Sequence, residues 1–280
     1  SIGFHSGIWR DEPISTYGPN KYPAIPDAFL AADSLIGLSS FERADIEVPA
    51  LKPWPVINPC TGMQELQWTM EAGDKLLDVD PAAKLSLTFD APLFSALNTW
   101  QCQQHGRSMG DIAMLVSNQI KILRMRYSNV QIGQNDAYPV MSIATIVDYL
   151  KTLESLGQKL DFFHLDVDRR RARTAFGSRW ELVVAADLQR LSRFCSQRGI
   201  KFGPLLWDNL SVSTATSGEY ASGAASLRLN PLHFNAVVEW AKLVRTALGT
   251  PELVRVQTWH ITEPTDLSGL RVGLVPHPVP

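Results

Sequence analysis

The chain has 280 residues, 45% of them hydrophobic and 19% charged, with a formal net charge of -2 and a pI of about 6.3. This length suits one large α/β barrel or two small domains, and the composition is typical of a soluble globular protein. The charge balance argues against a nucleic-acid-binding surface. No apolar run approaches the ~20 residues of a transmembrane helix, so no transmembrane segment is expected.

Strand and helix patterns alternate along the chain. Apolar patterns predict strands at 2–5, 84–90, 130–135, 162–168, 201–208, 253–260 and 270–275, with room for one more between 34 and 50. Helical spacing predicts helices at 109–127, 143–156, 180–197 and 231–248. Three of these helices are followed by a glycine that predicts a C-cap, namely Gly157, Gly199 and Gly249. This order predicts right-handed βαβ units and a parallel sheet.

Eight such strands would form one (β/α)8 barrel domain over residues 1–280. An open doubly wound sheet is the alternative, but no GxGxxG follows any strand, so a dinucleotide-binding Rossmann domain has no support. Residues 6–80 are rich in proline and do not fit the repeating unit. They are predicted to form a long excursion over the barrel mouth, as a lid or a substrate wall.

The strand at 162–168 carries the most informative pattern in the chain. Because side chains alternate between the two faces of a strand, its apolar residues share one face. These residues are Phe163, Leu165 and Val167. The opposite face carries His164, Asp166 and Asp168. Since buried carboxylates are costly without a partner or a role, this face is predicted to point into an active site.

Other strands place polar side chains on the same inner face. Alternation predicts inward positions for His5, Asp90, Gln131, Asn135, Arg255, Gln257 and Trp259. Three further candidates lie at strand ends, namely Asp136, Trp207 and His260. Amides and carboxylates bind adjacent hydroxyl groups, and an indole face stacks on a sugar ring. We therefore expect these ten residues and His164 to bind a carbohydrate substrate.

Four carboxylates are the candidate catalytic groups, namely Asp166, Asp168, Asp208 and Glu263. Asp166 and Asp168 are two apart on a strand, about 7 Å along it, and like charges that close raise one pKa toward that of a general acid. The alternative for this pair is ion pairing with the arginines at 169–173. The alternatives for Asp208 and Glu263 are a cap or turn residue and a loop carboxylate, respectively.

Neither a catalytic metal nor another cofactor is expected, because no His or Cys spacing typical of a metal site occurs. A metal-dependent sugar isomerase or hydrolase that uses His5, His164 and His260 with nearby carboxylates is the alternative. No GxSxG sequence is present, which argues against a serine nucleophile of that type.

The chain begins at Ser1 without a basic leader, as in a mature secreted protein or a trimmed form. We expect export to the periplasm or the cell exterior, with a cytoplasmic location as the alternative. Cys60 and Cys102 lie in irregular regions, and the sequence leaves open whether they form one disulfide if the protein is exported. Cys195 falls in a helical pattern and is expected to be a small buried residue.

Residues 84–276 resemble the (β/α)8 glycoside hydrolases in their organisation. The segment from Asp161 to Asp168 is also similar to D-x-x-D-x-D-x-E, the strand signature of the chitinase-type family 18. Asp161 and Asp166 match its first and third acids, whereas His164 replaces the second and Asp168 replaces the terminal Glu.

Two further resemblances lie elsewhere in the chain. Glu263 and Pro264 resemble the Glu-Pro pairs after barrel strands in other glycosidases, and segments 198–200, 249–251 and 257–259 resemble bacterial barrel proteins. Together these likenesses imply a glycosidase that cleaves a poly- or oligosaccharide with a carboxylate acid/base pair. A non-catalytic carbohydrate-binding barrel is the alternative.

Overall fold

The computed structural model describes residues 2–5, 44–48, 85–98, 106–206, 231–253 and 255–256, and seven positions between 66 and 78. At 2–5, 44–48, 95, 98, 231–237 and 256 the backbone alone is described.

Seven strands and six α-helices have described bounds, and the seven described positions between 66 and 78 are also helical. The strands are β1 (Ile2–His5), β2 (Ala44–Val48), β3 (Leu85–Asp90), β4 (Gln131–Tyr138), β5 (Phe162–Val167), β6 (Lys201–Leu206) and β7 (Arg255–Val256). The helices are α1 (Pro92–Asn98), α2 (Met109–Arg126), α3 (Ile143–Ser155), α4 (Arg169–Phe176), α5 (Trp180–Ser196) and α6 (Pro231–Leu248). A short 3-10 helix, Gly177–Arg179, joins α4 to α5.

The strands form one parallel sheet in the order β1-β2-β3-β4-β5-β6-β7. Each strand therefore pairs with the strand before it in the chain, and the order never reverses. A doubly wound sheet contains such a reversal, so the observed order disagrees with that alternative. The predicted α/β fold with a parallel sheet is confirmed, while the strand predicted at 270–275 lies outside the described residues.

The predicted elements agree with the structure except at a few boundaries. A strand is present at 44–48, within the predicted window, and the helix at 231–248 has the predicted bounds. Strand β4 runs three residues beyond its predicted end at 135. Helices α1 and α4 were not predicted as elements. Gly157, Gly199 and Gly249 have φ values of 75°, 62° and 73°, which confirms the predicted left-handed C-caps.

Local sequence also explains where two helices begin. Ser108 precedes α2 and forms a capping box with Asp111, since each side chain accepts a hydrogen bond from the other residue's backbone N–H. Ser142 precedes α3, and its Oγ accepts from the N–H of Thr145 at 3.1 Å.

The hydrophobic core lies between the sheet and the helices. Strand residues in this core are Leu85, Leu87, Phe89, Ile132, Tyr138, Phe163, Leu165, Val167, Phe202 and Leu206. They alternate along their strands with residues of the opposite face, as the pleat requires. The helical side is therefore the apolar side of the sheet, and the candidate site must be sought on the other face.

Among the described helices, none has the length and hydropathy needed to cross a bilayer.

Cys195 is buried in α5, and burial raises the pKa of its thiol to about 12, so it is a core residue as expected. Cys60 and Cys102 lie outside the described residues.

Candidate active site

Polar residues of three neighbouring strands stand side by side on the inner face of the sheet. The register pairs Asp90 of β3 with Asn135 of β4, and Asn135 with His164 of β5. All three side chains are buried, with exposed fractions of 4%, 1% and 5%. Asp166 lies one step nearer the carboxyl end of β5, in register with Ala137, and is half-buried. We call Asp90, Asn135, His164 and Asp166 the inner polar cluster.

An apolar floor closes this face on the side of the strands' amino ends. Gly133 is in register with Phe162, and the ring of Phe162 occupies the space where a side chain at 133 would lie. A Cβ atom at that position would stand 2.0 Å from Phe162 Cε2. The His164 ring packs edge-on against Phe162, with their centroids 5.4 Å apart. The inner polar cluster thus rests on an aromatic side chain and faces the carboxyl ends of the strands.

His164 is held as a neutral imidazole. Its burial lowers its pKa to about 3, the positive charge of Arg255 acts in the same direction, and a hydrogen bond with the Gly203 carbonyl opposes both. Nδ1 lies 3.0 Å from that carbonyl oxygen, so Nδ1 carries the proton and donates it. Nε2 is consequently an acceptor, suited to a substrate hydroxyl group.

Asn135 also shapes the turn that follows Asp90. The backbone N–H of Ala91 donates to the side-chain Oδ1 of Asn135 at 2.9 Å and lies 3.1 Å from its carbonyl oxygen. Ala91 has a φ of 47°, a left-handed conformation that costs energy for a residue with a Cβ. Strain of this kind persists when surrounding contacts enforce it. The Asn135 contacts therefore fix the backbone beside the Asp90 carboxylate.

Asp136 lies on the helical side of the sheet. It has no exposed surface and accepts hydrogen bonds from the N–H groups of Leu93 and Phe94, at 3.3 and 3.1 Å, in the first turn of α1. Gln134 Nε2 donates to it at 3.0 Å, and Tyr149 donates to Gln134. Burial outweighs these bonds and raises the pKa of Asp136 to about 7. Asp136 was predicted to bind substrate, but in the structure it anchors α1.

Asp168 caps helix α4. Its carboxylate accepts from the N–H of Arg171 at 2.9 Å and lies 3.3 Å from Arg171 Nε. This is the ion-pair alternative considered for Asp168. The predicted pair of carboxylates on one strand face is thus divided, because Asp166 remains on the inner face while Asp168 turns to its own helix.

Arg255 and Gln131 are the remaining predicted binding residues whose side chains are described. Arg255 is in register with Leu205, is partly buried, and lies close enough to His164 to affect its pKa. Gln131 is in register with Ser86 at the amino end of β4, and its side chain is half-buried. It therefore lies on the floor side, away from the carboxyl ends of the strands.

Several predicted site residues cannot be placed. His5 is in register with Glu47, and its backbone alone is described. The others lie outside the described residues: Trp207, Asp208, Gln257, Trp259, His260 and Glu263. Among the residues that are described, no three His, Cys, Asp or Glu side chains are grouped as a metal site would require.

Two buried or paired residues near the site were not among the predicted site residues. Arg169, the first residue after Asp168, is 2% exposed, and its guanidinium lies 5.7 Å from the ring centroid of Trp240. A cation directly after a buried strand was the available signal. Asp161 lies at the amino end of β5, where Oδ2 accepts from the N–H of Ile132 at 2.8 Å and pairs with Arg124 at 3.4 Å. It joins β5 to β4 and α2, at the end of the sheet away from Asp166.

Comparison with known proteins gives a likeness of fold. No family model matches the sequence, and no curated protein matches it. Among solved structures, the chain is similar to a GH53 catalytic domain from Ignisphaera aggregans, with a TM-score of 0.55 and 12% identity. The match covers 91% of this chain and 72% of that chain. At this identity the likeness concerns the fold alone, and it does not favour family 18 in particular.

Proposed function

We propose that this chain is a closed (β/α)8 glycoside hydrolase that cleaves O-glycosidic bonds of a poly- or oligosaccharide. The strand order supports the barrel, since each strand pairs with its predecessor, and the segment at 270–275 would supply the strand that closes it. One solved structure that it resembles is a GH53 catalytic domain, which supports a glycosidase.

The inner polar cluster carries the proposal. A carboxylate, an amide and a neutral imidazole stand in register on β3, β4 and β5, with a second carboxylate one step nearer the carboxyl ends. Barrel enzymes place their active sites at that end. Carboxylate and amide oxygens accept hydrogen bonds from sugar hydroxyls, and His164 Nε2 adds another acceptor. The cluster is therefore suited to a polyhydroxylated ligand.

Asp166 is the described carboxylate best suited to acid/base chemistry, because it is half-buried at the open end of the cluster. Glu263, shortly after β7, is proposed as the second carboxylate, with Asp208 after β6 as the next candidate. One carboxyl group would protonate the leaving oxygen, and the other would act as nucleophile or activate water. Asp90, Asn135, His164, Arg255, Gln257, Trp207, Trp259, His260 and His5 are proposed to bind the sugar.

A hydrolysis screen tests the proposal directly. Purified protein is incubated with a panel of neutral and acidic polysaccharides, and new reducing ends are measured with and without EDTA. We expect cleavage of at least one polymer, unchanged by EDTA. Loss of cleavage in EDTA, restored by a divalent ion, would instead establish the metal-dependent alternative.

The capping role of Asp168 favours a second candidate, a non-catalytic carbohydrate-binding barrel. One carboxylate of the predicted acid pair is engaged with α4, while the sugar-binding groups of the cluster remain. This candidate predicts binding of a polysaccharide in the same panel without new reducing ends. Because intact polysaccharides do not cross membranes unaided, either function fits an exported protein, the location we propose.

A further inference from the structure

An open groove of about 360 Å³ lies between helix α4 and the segment after β4. Its lining residues are Pro139, Val140, Arg170, Arg171, Thr174 and Ala175. Both walls directly follow the carboxyl ends of β4 and β5. The groove therefore lies at the same end of the sheet as the opening of the inner polar cluster.

The α4 wall of this groove belongs to a strongly basic segment. Residues 169–179 contain five arginines and no acidic residue, namely Arg169, Arg170, Arg171, Arg173 and Arg179. Arg170 is exposed and has no ion pair with any described residue. In a chain with a net charge of -2, this is a local concentration of positive charge. A field of this sign attracts anionic ligands.

Asp168 orients the Arg171 guanidinium through one nitrogen and leaves its other two nitrogens available. Its Nε lies 3.3 Å from Asp168 Oδ2, and this is its one ion pair among the described residues. The two terminal nitrogens keep their donors. A guanidinium held by Nε is ready to donate two parallel hydrogen bonds to a carboxylate or a sulfate group.

We infer that this groove binds an anionic sugar unit of the substrate, so that the substrate class is an acidic polysaccharide bearing carboxylate or sulfate groups. Arg170 and Arg171 contact the anionic group, and Pro139 with Val140 provides an apolar strip for the face of the sugar ring. This inference rests on the proposed function and narrows its substrate. A glycan is favoured over a nucleic acid because the groove lies at the same end of the sheet as the inner polar cluster and the chain as a whole is not basic.

Matched polymers isolate the effect of charge. Polygalacturonate is compared with its methyl ester, and a sulfated galactan with the same galactan after desulfation, by calorimetric titration in about 0.1 M NaCl. We expect at least one charged polymer to bind ~10-fold more tightly than its neutral partner. The difference should shrink in about 1 M NaCl, where the Debye length falls to about 3 Å.

Two double variants test whether the preference for the charged polymer arises at this groove. The double variant Arg170→Gln with Arg171→Gln should lower the affinity for the charged polymer by at least ~10-fold. Its affinity for the neutral polymer should stay unchanged. The control, Arg190→Gln with Arg193→Gln, removes the same charge from exposed positions on α5. It should leave both affinities unchanged. Far-ultraviolet circular dichroism verifies that each variant is folded.

The outcomes separate this inference from the proposed function. Cleavage of neutral polymers, with no preference for either charged polymer, overturns the inference and leaves the hydrolase. Equal losses in both double variants also overturn it, since the effect would then be general charge. Charge-selective binding that depends on Arg170 and Arg171, without cleavage of any polymer, supports the groove and overturns the hydrolase.

Discussion

Asp136 combines complete burial with an anchoring role, and its ionisation should therefore affect folding. Its pKa is about 7 in the folded protein, against about 3.9 for an unfolded chain. Between these values the folded state holds a proton that the unfolded state has lost. The stability due to this proton is fully present below about pH 4 and is lost as the pH rises to about 7.

The variant Asp136→Asn tests this linkage. Asn can accept from the N–H groups of α1, and a rotated Gln134 amide can accept from Asn in turn. Relative to Asp136→Asn, the wild-type free energy of unfolding should fall by about 1.4 kcal/mol per pH unit between pH 4 and 7 and then stay level. Urea titrations across this range provide the measurement. Asp148→Asn, which removes a carboxylate at an exposed position, is measured alongside as the control variant. A difference that rises with pH contradicts the assignment.

Asp166 and Asp168 lie two residues apart and are expected to respond differently. Asp166→Asn should lower turnover by at least ~100-fold without loss of folding, because a positioned acid or base supplies about 10²–10⁴ in rate. Asp168→Asn should keep the helix cap, since Asn caps as well as Asp does. Asp168→Ala should cost about 1 kcal/mol of stability. Turnover and thermal midpoint are measured on all three variants. Near-normal turnover in Asp166→Asn would shift attention to Glu263 and Asp208.

At the scale of elements, strands β4 and β5 depend on a close fit between Gly133 and Phe162. Gly133→Ala places a methyl group within about 2 Å of the ring, and neighbouring strands leave little room for adjustment. We expect the free energy of unfolding to fall by about 1–3 kcal/mol, the usual effect of overpacking. Adding Phe162→Leu should recover part of that loss, and a double-mutant cycle on free energies of unfolding measures the recovery.

Gly110→Ala is the matched control for this prediction. Gly110 lies in α2, and its nearest neighbour would be 3.6 Å from an added Cβ, an ordinary contact. The change should be neutral or stabilise the protein by up to about 1 kcal/mol, because Ala favours helix. Equal effects at 110 and 133 would show that the Phe162 contact does not matter.

The sequence predicted elements better than it predicted side-chain partners. Helices such as α6 have a continuous 3.6-residue pattern and end at glycine, so local signals suffice for their bounds. The predicted strand at 130–135 ended before Asp136, whereas β4 continues to Tyr138. The strand continues since α1 supplies donors to that carboxylate, and Tyr138 donates to Asp187 of α5. These partners are distant in sequence and leave no local signal.

The end of strand β5 explains why the predicted catalytic pair, Asp166 and Asp168, does not share one face. Alternation correctly gives the face of Phe163, Leu165 and Val167, and hence the opposite face of His164 and Asp166. This alternation applies only to residues within the strand. The strand ends at Val167, and Asp168 then takes the extended conformation of an N-cap residue. An arginine-rich helix start directly after the strand was the signal for this change.

For the molecule as a whole, closure of the barrel is the next structural question. If 270–275 is the closing strand, its backbone N–H groups are hydrogen-bonded within the sheet. Their hydrogen exchange should then be slow, as for β4 and β5, because protected amides exchange only through larger openings. Exchange followed by mass spectrometry measures this, with β4 and β5 as the protected reference. If the amides of 270–275 exchange as fast as those of an unstructured peptide, this segment does not close the sheet.

The uninterrupted order of strands has a consequence for how the chain assembles. Every new βα unit adds to the edge formed by the unit just before it, so a chain emerging from the ribosome can extend its sheet stepwise without waiting for a distant segment. Each step also leaves the newest strand with unpaired N–H and C=O groups, an edge on which other nascent chains can dock. The sequential topology thus favours early assembly, and it leaves an exposed strand edge at each intermediate stage.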